Sequence, residues 1–365
     1  MLVEQLEKYF PGEGYALATA LLAGGEPSVT ARQAYDLMAL ARLLGEGARE
    51  NRQVSSHPLH PENPEFQHAF DEFLKHYGHR GLYESYFRNP RWREAPEYLL
   101  SSLVQLADVD EAALRTRQRA AVAEALVRIK AGAPFWKRAF IRWLAKMAHL
   151  ECNQREAARS ALIAYVEPGR RILLAAGRYL AGQGALAHET DIFQLMLSEI
   201  LRALNGDIPA AGLKARVVDR NRLFEQWSRE TPPDVLVEAS RQSILNWQPL
   251  DAVAPASNSR RYQGIPTGTG RARGKACLLR HPSDGDKLQP GDILIAPSTD
   301  PGWTPLFLRA GGLVVETGGY LSHGAIVARE FAIPAVVNIP GILARIKDGD
   351  VVEVDGMSGV VTLIE

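Results

Sequence analysis

His323 is the residue whose type and surroundings point most directly to chemistry. It follows an apolar run that is typical of a buried strand, Leu313–Glu316, and a glycine-rich loop, and it precedes an apolar pattern that is typical of a helix. Neutral imidazole is a nucleophile near pH 7 because its ordinary pKa is about 6.5. A helix N-terminus also favours an anion, through its free N–H groups and dipole. The pattern predicts a histidine that accepts and passes on a phosphoryl group.

Neighbouring residues offer the groups that a phosphorylated histidine needs. Thr317 and Ser322 carry hydroxyls that can donate to phosphate oxygens or orient the ring. Gly318 and Gly319 leave room where another domain or a nucleotide approaches, and Arg329 is a candidate counter-charge. We predict that these five residues bind or orient the phosphoryl group. The spacing alone also fits a histidine that only caps or packs against a helix.

The elements that position this histidine lie in a C-terminal segment, 263–365, with its own sequence pattern. Short β-branched runs alternate there with glycine, and helices are predicted to begin at Thr304 and after His323. A compact α/β domain of about 100 residues is expected. The predicted strands are Lys275–Arg280, Asp292–Ala296, Leu313–Glu316, Ala335–Asn338, Val351–Val354 and Val360–Ile364.

The chain before this domain has a helical pattern from residue 1 to about 248. Helices are predicted over 30–45, 64–76, 97–130, 155–182, 192–204 and 211–229. After Pro134, a further helix is predicted to turn one apolar stripe toward a core: Trp136, Phe140, Trp143, Leu144, Met147 and Leu150. Between the two parts, 249–262 contains two prolines and two serines and is predicted to be a flexible linker.

Composition limits the classes of partner. Lys plus Arg and Asp plus Glu both number 42, so no net charge attracts nucleic acid or an anionic membrane, and neither partner is expected. Only two cysteines occur, which argues against a disulfide framework. The N-terminus does not have the pattern of a secretory signal, and no apolar run is long enough to span a membrane. We expect a cytoplasmic protein.

The C-terminal segment resembles a known family along essentially all of 263–365. The motif Thr317-Gly318-Gly319, Ser322-His323, Ala325–Glu330 and Ile333–Val336 is similar to the phosphohistidine motif of phosphoenolpyruvate (PEP)-utilising enzymes. The likeness extends through Asp300–Phe307 and Asp348–Gly356. It implies a mobile domain whose matching histidine, here His323, is phosphorylated by an ATP-binding domain and then swings to a distant acceptor.

The helical part resembles, less specifically, the middle domain of rifampin phosphotransferase-like members of this family. The likeness lies in Tyr77–Gly81, Glu84, Pro90–Trp92 and Asp191–Phe193. It implies an acceptor pocket for a small hydroxyl-bearing molecule. His79, Arg80 and Glu84 are the candidate acceptor-site residues, provided that a helix follows Gly81 and brings them together; a buried ion pair explains them as well. Arg155 and Glu156 lie at a position that resembles the family's polar pocket wall, yet nothing local distinguishes them from a solvated helix face.

Metal and nucleotide binding are not expected of this chain's own residues. His57, His60 and His68 lack the spacing of a metal site, so no metal ligand is predicted. No Walker-type loop occurs, and the family's ATP-binding domain has no counterpart in this sequence. We therefore expect ATP and Mg²⁺ to be bound mainly by a separately encoded ATP-binding subunit that acts in trans.

These expectations combine into one predicted architecture, multidomain α and α/β. An N-terminal all-helical acceptor domain, 1–248, is joined by the linker 249–262 to a C-terminal swivelling β/β/α phosphohistidine domain, 263–365. The predicted function is one half of a split, dikinase-like phosphotransferase that carries a phosphoryl group on His323 to an acceptor. The alternatives are a non-enzymatic phosphocarrier whose phosphorylation controls a partner, and a remnant with a structural role only.

Overall fold

The structure is a computed structural model that describes residues 1–23, 25–44, 63–230 and 260–364. Its chain forms two compact units. The first contains Met1–Tyr83, Arg91–Ser160 and Ala252–Glu365, and the second contains Glu84–Pro90 and Ala161–Asp251. The candidate site lies in the first unit, where helices from the first 160 residues pack with the C-terminal sheet.

Helices make up the N-terminal part, and polar residues cap several of them. Ser28 begins the third helix by accepting from the backbone N–H of Ala31. Asn63 and Asp110 cap later helices in the same way. The helices are α1 Leu2–Tyr9, α2 Gly14–Leu21, α3 Val29–Arg42, α4 Pro64–Tyr77, α5 Glu97–Leu106, α6 Glu111–Gly132 and α7 Phe135–Gly182.

The second unit is helical where the structure describes it. It contains the last part of α7, a 3₁₀ turn at Glu189–Gln194, α8 Leu197–Leu204 and α9 Ala210–Trp227. Gly206 follows α8 with φ of 81°, which is the left-handed terminator that the Asn205-Gly206 pair predicts. Glu199 pairs with Arg216 and Arg220 and so joins α8 to α9.

One mixed sheet of eight strands forms the C-terminal part, in the order β1-β8-β7-β3-β4-β5-β6-β2. The central strands β3 to β6 run parallel, and the strands at both edges pair antiparallel. Three short helices connect the strands: α10 Thr304–Phe307, α11 His323–Glu330 and α12 Ile342–Arg345. The strands are β1 Arg261–Gln263, β2 Ile265–Pro266, β3 Arg271–Leu278, β4 Ile293–Ala296, β5 Gly312–Val315, β6 Ala335–Val337, β7 Val351–Asp355 and β8 Val360–Leu363.

Two hydrophobic cores cover the two faces of this sheet. One is continuous with the N-terminal helices, because Leu37 and Met38 of α3 belong to the same buried cluster as Trp303, Phe307 and Phe331. The other lies within the C-terminal part, between the sheet and α12. The sheet is therefore tied to α3 by apolar burial, which is the largest favourable contribution to packing.

The structure corrects the predicted orientation of α7. Trp136 and Trp143 are 65% and 52% exposed, so these members of the predicted stripe do not face a core. Leu144, also a member of the stripe, is buried, together with Ile141 and Ala145, against α1, α2 and α6. The segment carries apolar residues on two neighbouring faces, and the smaller side chains allow the closer helix packing.

Several predicted boundaries were also wrong. The predicted helix 97–130 is two helices, because Asp110 caps a new one, and the predicted break near residue 155 lies inside the continuous α7. Arg261 and Tyr262 belong to strand β1 rather than to the predicted linker, since β1 pairs with β8. The rest of that linker, 249–259, falls outside the described residues, so the division into 1–248 and 263–365 stays a prediction. In the part of the chain that the structure describes, no helix has the length and apolar character needed to cross a bilayer.

Candidate active site

His323 lies at the point where a buried strand meets a helix. All four residues of β5 are buried, and a loop from Glu316 to Leu321 leads from that strand to the N-cap residue Ser322. His323 is the first residue of α11, as predicted. The apolar strand and the short apolar helix fix the backbone of the histidine, so its position is set by the packed core and not by a surface loop.

Both ring nitrogens of His323 have polar neighbours, and the side chain is 3% exposed. Nδ1 lies 3.2 Å from Oε2 of Glu156 on α7. Nε2 lies 3.3 Å from Oγ1 of Thr304, the first residue of α10. Helix α11 therefore presents the imidazole to a carboxylate on one side and a hydroxyl on the other.

Glu156 is a buried carboxylate with a second hydrogen-bond partner. Thr30 of α3 donates its hydroxyl to Oε2 of Glu156 at 2.7 Å. Burial alone raises the pKa of Glu156, but the hydrogen bond from His323, the charge of that ring when it is protonated, the Thr30 hydroxyl and the charge of Arg80 lower it to about 2. Glu156 is therefore ionised at neutral pH.

The ionised carboxylate determines the tautomer of the neutral ring. Glu156 has no proton to donate, so Nδ1 of His323 carries the proton and donates it to Oε2. Nε2 is then unprotonated and can accept from the Thr304 hydroxyl. The geometry leaves the free lone pair of the neutral ring on Nε2, with the ring oriented through its other nitrogen.

The predicted phosphate-binding residues form the loop before α11. Ser322 donates its N–H to the carbonyl of Gly319 at 2.9 Å, and its side chain makes no capping hydrogen bond. A Cβ on Gly318 would meet Oγ of Ser322 at 3.1 Å, whereas one on Gly319 would meet nothing within 4 Å. Thr317 donates its N–H to the carbonyl of Pro297 at 2.9 Å. The role of this loop in phosphate binding stays a prediction.

Arg329 lies at the other end of α11 from His323. Its guanidinium donates to the carbonyl of Tyr320 at 2.6 Å and contacts Sγ of Cys152 at 3.8 Å. The ring of Tyr320 stacks on Tyr15 of α2, with centroids 4.2 Å apart. Arg329 thus holds the loop against the N-terminal helices, a position not anticipated for a phosphate counter-charge.

Two of the three acceptor-site candidates lie near Glu156. His79 and Arg80 are buried, and Nε2 of His79 lies 3.2 Å from Oγ of Ser160, one turn after Glu156 on α7. The charge of Arg80 acts on Glu156. Glu84 belongs to the second compact unit. The helix after Gly81 that would bring all three together does not form, because residues 82–89 form turns and bends. The sequence alone does not distinguish Glu156 from a residue on a solvated helix face.

A second set of contacts joins α11 to the N-terminal helices. Oε1 and Oε2 of Glu330 accept from the backbone N–H and the hydroxyl of Ser28, at 2.6 and 2.7 Å. Gln118 of α6 donates to the carbonyl of Glu330 at 2.9 Å, and Arg117 donates to that of Phe331 at 3.1 Å. Burial raises the pKa of Glu330 to about 7. We call the contacts among these residues the docking contacts: Ser28, Arg117, Gln118, Glu330 and Phe331.

No metal site emerges from the described ranges, 1–23, 25–44, 63–230 and 260–364, which hold no group of three or more His, Cys, Asp or Glu side chains suited to a metal ion. His68 lies on α4, within this part of the chain. His57 and His60 lie outside it.

Two family models match the chain. Residues 288–359 match the PEP-utilising enzyme mobile domain, and residues 1–156 match the rifampicin phosphotransferase fourth domain. The first match contains His323 and Thr304, and the second contains Thr30 and Glu156, so each contributes one side of the site. Both matches confirm the resemblance predicted from the motifs.

Curated relatives match along most of the chain. The prodigiosin-synthesizing transferase PigC of Serratia marcescens is 30% identical over 98% of this chain and 41% of its own length. A rifampicin phosphotransferase of Streptomyces sviceus is 29% identical over 83% of this chain and 35% of its own length. A second one, of a Streptomyces species, is 28% identical over 100% of this chain and 43% of its own. The chain thus spans about two fifths of the length of these relatives.

Proposed function

We propose that this chain, a relative of the PEP-utilising phosphotransferases, carries a phosphoryl group on Nε2 of His323 and passes it to a small hydroxyl-bearing acceptor. The observation that carries the proposal is the pairing of Nδ1 with the ionised Glu156, which leaves Nε2 as the unprotonated nitrogen. A nucleophile whose base or orienting group lies within hydrogen-bond reach is the general arrangement of covalent catalysis.

In the first step, Nε2 attacks a phosphorus atom of ATP in line, and the bond from that phosphorus to the leaving oxygen breaks. The product is a phosphoramidate on Nε2 of His323, and the ring, which keeps its proton on Nδ1, gains a positive charge that Glu156 faces once the carrier is back in the docked arrangement. In the second step, the oxygen of the acceptor hydroxyl attacks the same phosphorus, the P–N bond breaks, and the hydroxyl proton leaves to a base or to water. The ring returns to its neutral state.

The two steps require two arrangements of the carrier. The side chain of His323 is 3% exposed here, and both nitrogens have neighbours in the N-terminal helices or α10, so ATP on another domain has no access to Nε2. We infer that the structure corresponds to the acceptor-side arrangement and that 263–365 must separate from α3 and α7 to be phosphorylated. The predicted swivelling domain and linker meet this requirement.

Arg80 and His79 are the groups that we assign to the acceptor side. Arg80 places a positive charge near Glu156, where it can also attract a phosphoryl group on His323. His79 contacts Ser160, which lies one helical turn after Glu156 on α7. Relatives are named for rifampicin and for prodigiosin synthesis. The acceptor class that we propose is accordingly a hydroxyl-bearing small molecule rather than one compound.

The donor in this proposal is an ATP-binding protein that acts on this chain in trans, with Mg²⁺ bound together with the nucleotide. Phosphoryl transfer depends on positioning and charge neutralisation, and Mg²⁺ supplies the latter at the phosphates of ATP. This chain contributes the nucleophile, the carboxylate that orients it and the acceptor side.

Incorporation of labelled phosphate tests the proposal. The wild-type chain and His323→Ala are incubated with a candidate ATP-binding subunit and ATP labelled at either the β or the γ position. We expect acid-labile label on the wild type alone, from one of the two positions. His188→Ala, which replaces an exposed histidine of the second unit, is the matched control and should be labelled like the wild type.

Equal labelling of wild type and His323→Ala would refute the carrier role, as would no labelling with a partner that demonstrably hydrolyses ATP. Label that forms on His323 but is never discharged to any hydroxyl compound would favour the alternative, a phosphocarrier that controls a partner.

A further inference from the structure

Gln33 is a buried polar side chain that the proposed mechanism has not yet used. It lies in the middle of α3 and is 0% exposed. Neither Oε1 nor Nε2 has a hydrogen-bond partner among the residues that the structure describes. An unsatisfied buried amide costs about 1–3 kcal/mol per group, and native proteins rarely retain one without a reason. A ligand that binds during the reaction and supplies the missing hydrogen-bond partners would be such a reason.

Gln33 lies one helical turn from Thr30, a residue of the site. Thr30 is one turn earlier on α3, and residues three apart are neighbours on a helix surface. The Thr30 hydroxyl contacts Glu156, which in turn contacts His323. Helix α3 also packs against α10 and α11, the helices that carry Thr304 and His323. Ala31, on the other side of α3, lines a small cavity together with Glu330.

The chemistry of an amide fits what phosphorylation adds. A phosphoryl group on Nε2 of His323 brings three acceptor oxygens into a region where Glu156 already accepts from Thr30 and the ring. The Gln33 amide offers two N–H donors without a charge, and its carbonyl can accept from a hydroxyl. A neutral donor does not compete with the ring for Glu156, as a second cation would.

We propose that Gln33 is a further substrate-binding residue: its Nε2 donates to a phosphoryl oxygen on His323 in the docked arrangement, and its Oε1 accepts from the acceptor hydroxyl. Both orphaned atoms then have partners only when the phosphoryl group and acceptor are present. This inference rests on the proposed function, because it requires a phosphoryl group on His323.

Stability of the unphosphorylated chain is the first measurement. Gln33→Leu removes the two unsatisfied atoms at similar volume, so we expect its melting temperature to equal or exceed that of the wild type. Gln118→Leu is the matched control, since the buried Gln118 donates to the Tyr35 hydroxyl at 3.1 Å and to the carbonyl of Glu330 at 2.9 Å. That variant should melt at a lower temperature than the wild type.

The second measurement uses protein phosphorylated with phosphoramidate, a small donor that needs no partner, and His323→Ala defines the label that belongs to His323. We expect phosphorylation to raise the melting temperature more in the wild type than in Gln33→Leu, by roughly 2–4 °C or more. The ³¹P resonance of phosphorylated His323 should also differ between the two proteins.

The outcomes separate the two proposals. If phosphorylation shifts the melting temperature and the ³¹P resonance identically in both proteins, Gln33 does not contact the phosphoryl group and the inference is wrong. A Gln33→Leu chain that melts lower than the wild type before phosphorylation would mean that the amide already has partners, which also overturns it. Absence of phosphohistidine at His323 from phosphoramidate and from ATP with a partner would instead overturn the proposed function.

Discussion

Glu330 allows a quantitative prediction about stability and pH. Its carboxyl group is buried against Ser28, and burial raises its pKa from 4.5 to about 7. The folded chain therefore holds this proton more tightly than the unfolded chain does. A raised pKa contributes stability that is fully present below pH 4.5 and is lost as the pH rises through 7. A shift of this size corresponds to about 3 kcal/mol between these limits.

The substitution Glu330→Gln copies the protonated form. The amide oxygen can accept from the N–H of Ser28, and the amide nitrogen can donate to the Ser28 hydroxyl. Both docking contacts between residue 330 and Ser28 are therefore kept. We expect the variant and the wild type to be similarly stable at pH 5. At pH 8.5 the variant should be more stable by about 3 kcal/mol, or roughly 6–12 °C in melting temperature.

The assay is thermal or urea unfolding between pH 5 and 8.5, followed by fluorescence of the buried Trp92 and Trp303 of the first unit. Glu225→Gln, which replaces an exposed carboxylate of the second unit, is the control and should follow the wild type. Parallel curves for wild type and Glu330→Gln would show that Glu330 does not titrate in this range and would refute the reasoning. Glu156 does not interfere, because its lowered pKa moves its own loss of stability to pH below 4.5.

Three further predictions concern the site and α7. In Glu156→Gln, the negative charge that faces the protonated Nδ1 in the docked arrangement is lost, so transfer of the phosphoryl group from His323 to a hydroxyl acceptor should slow by about 10²–10⁴-fold; an unchanged rate would contradict the role assigned to Glu156. Thr304→Val removes the hydroxyl beside Nε2 at similar size. The transition state for transfer should lose about 1 kcal/mol of stabilisation, so phosphohistidine loss to a hydroxyl acceptor should slow several-fold. An identical rate would exclude a role for that contact. Trp143→Gln should change the free energy of unfolding by no more than about 0.5 kcal/mol, because Trp143 is exposed; a loss above about 2 kcal/mol would restore the predicted core-facing stripe.

The strands and the histidine helix were predictable because local rules fix them. Each predicted strand lies within a few residues of an observed one, since short β-branched runs between glycines favour strands over helices. The orientation of α7 was not predictable in the same way. Two apolar faces compete there, and the choice depends on α1, α2 and α6, whose positions the local sequence does not specify.

The contact between His323 and Glu156 could not be predicted from sequence either, because it depends on how distant segments pack. Glu156 is 167 residues away in the chain, and nothing in the local pattern of α7 distinguishes a buried glutamate from a solvated one. The same holds for Ser28 and Glu330, which are 302 residues apart. One signal was available, since Glu156 lies on a segment that resembles the family's pocket wall. Gln33 had no signal, because its significance lies in hydrogen bonds that are missing.

The docking contacts set a limit on how the proposed relay can work. Three polar side chains, those of Glu330, Gln118 and Arg117, join α11 and the residue after it to the N-terminal helices. Each hydrogen bond contributes a net 0.5–1.5 kcal/mol, about twice that where a charge takes part, because water replaces it on release. Apolar burial around Phe331 adds to this sum. A carrier that must leave this arrangement to be phosphorylated therefore needs contacts of similar strength on the donor side, since a partner shifts the equilibrium only by its differential affinity for the two arrangements. Deprotonation of Glu330 above pH 7 weakens the acceptor-side arrangement and so favours release of the carrier.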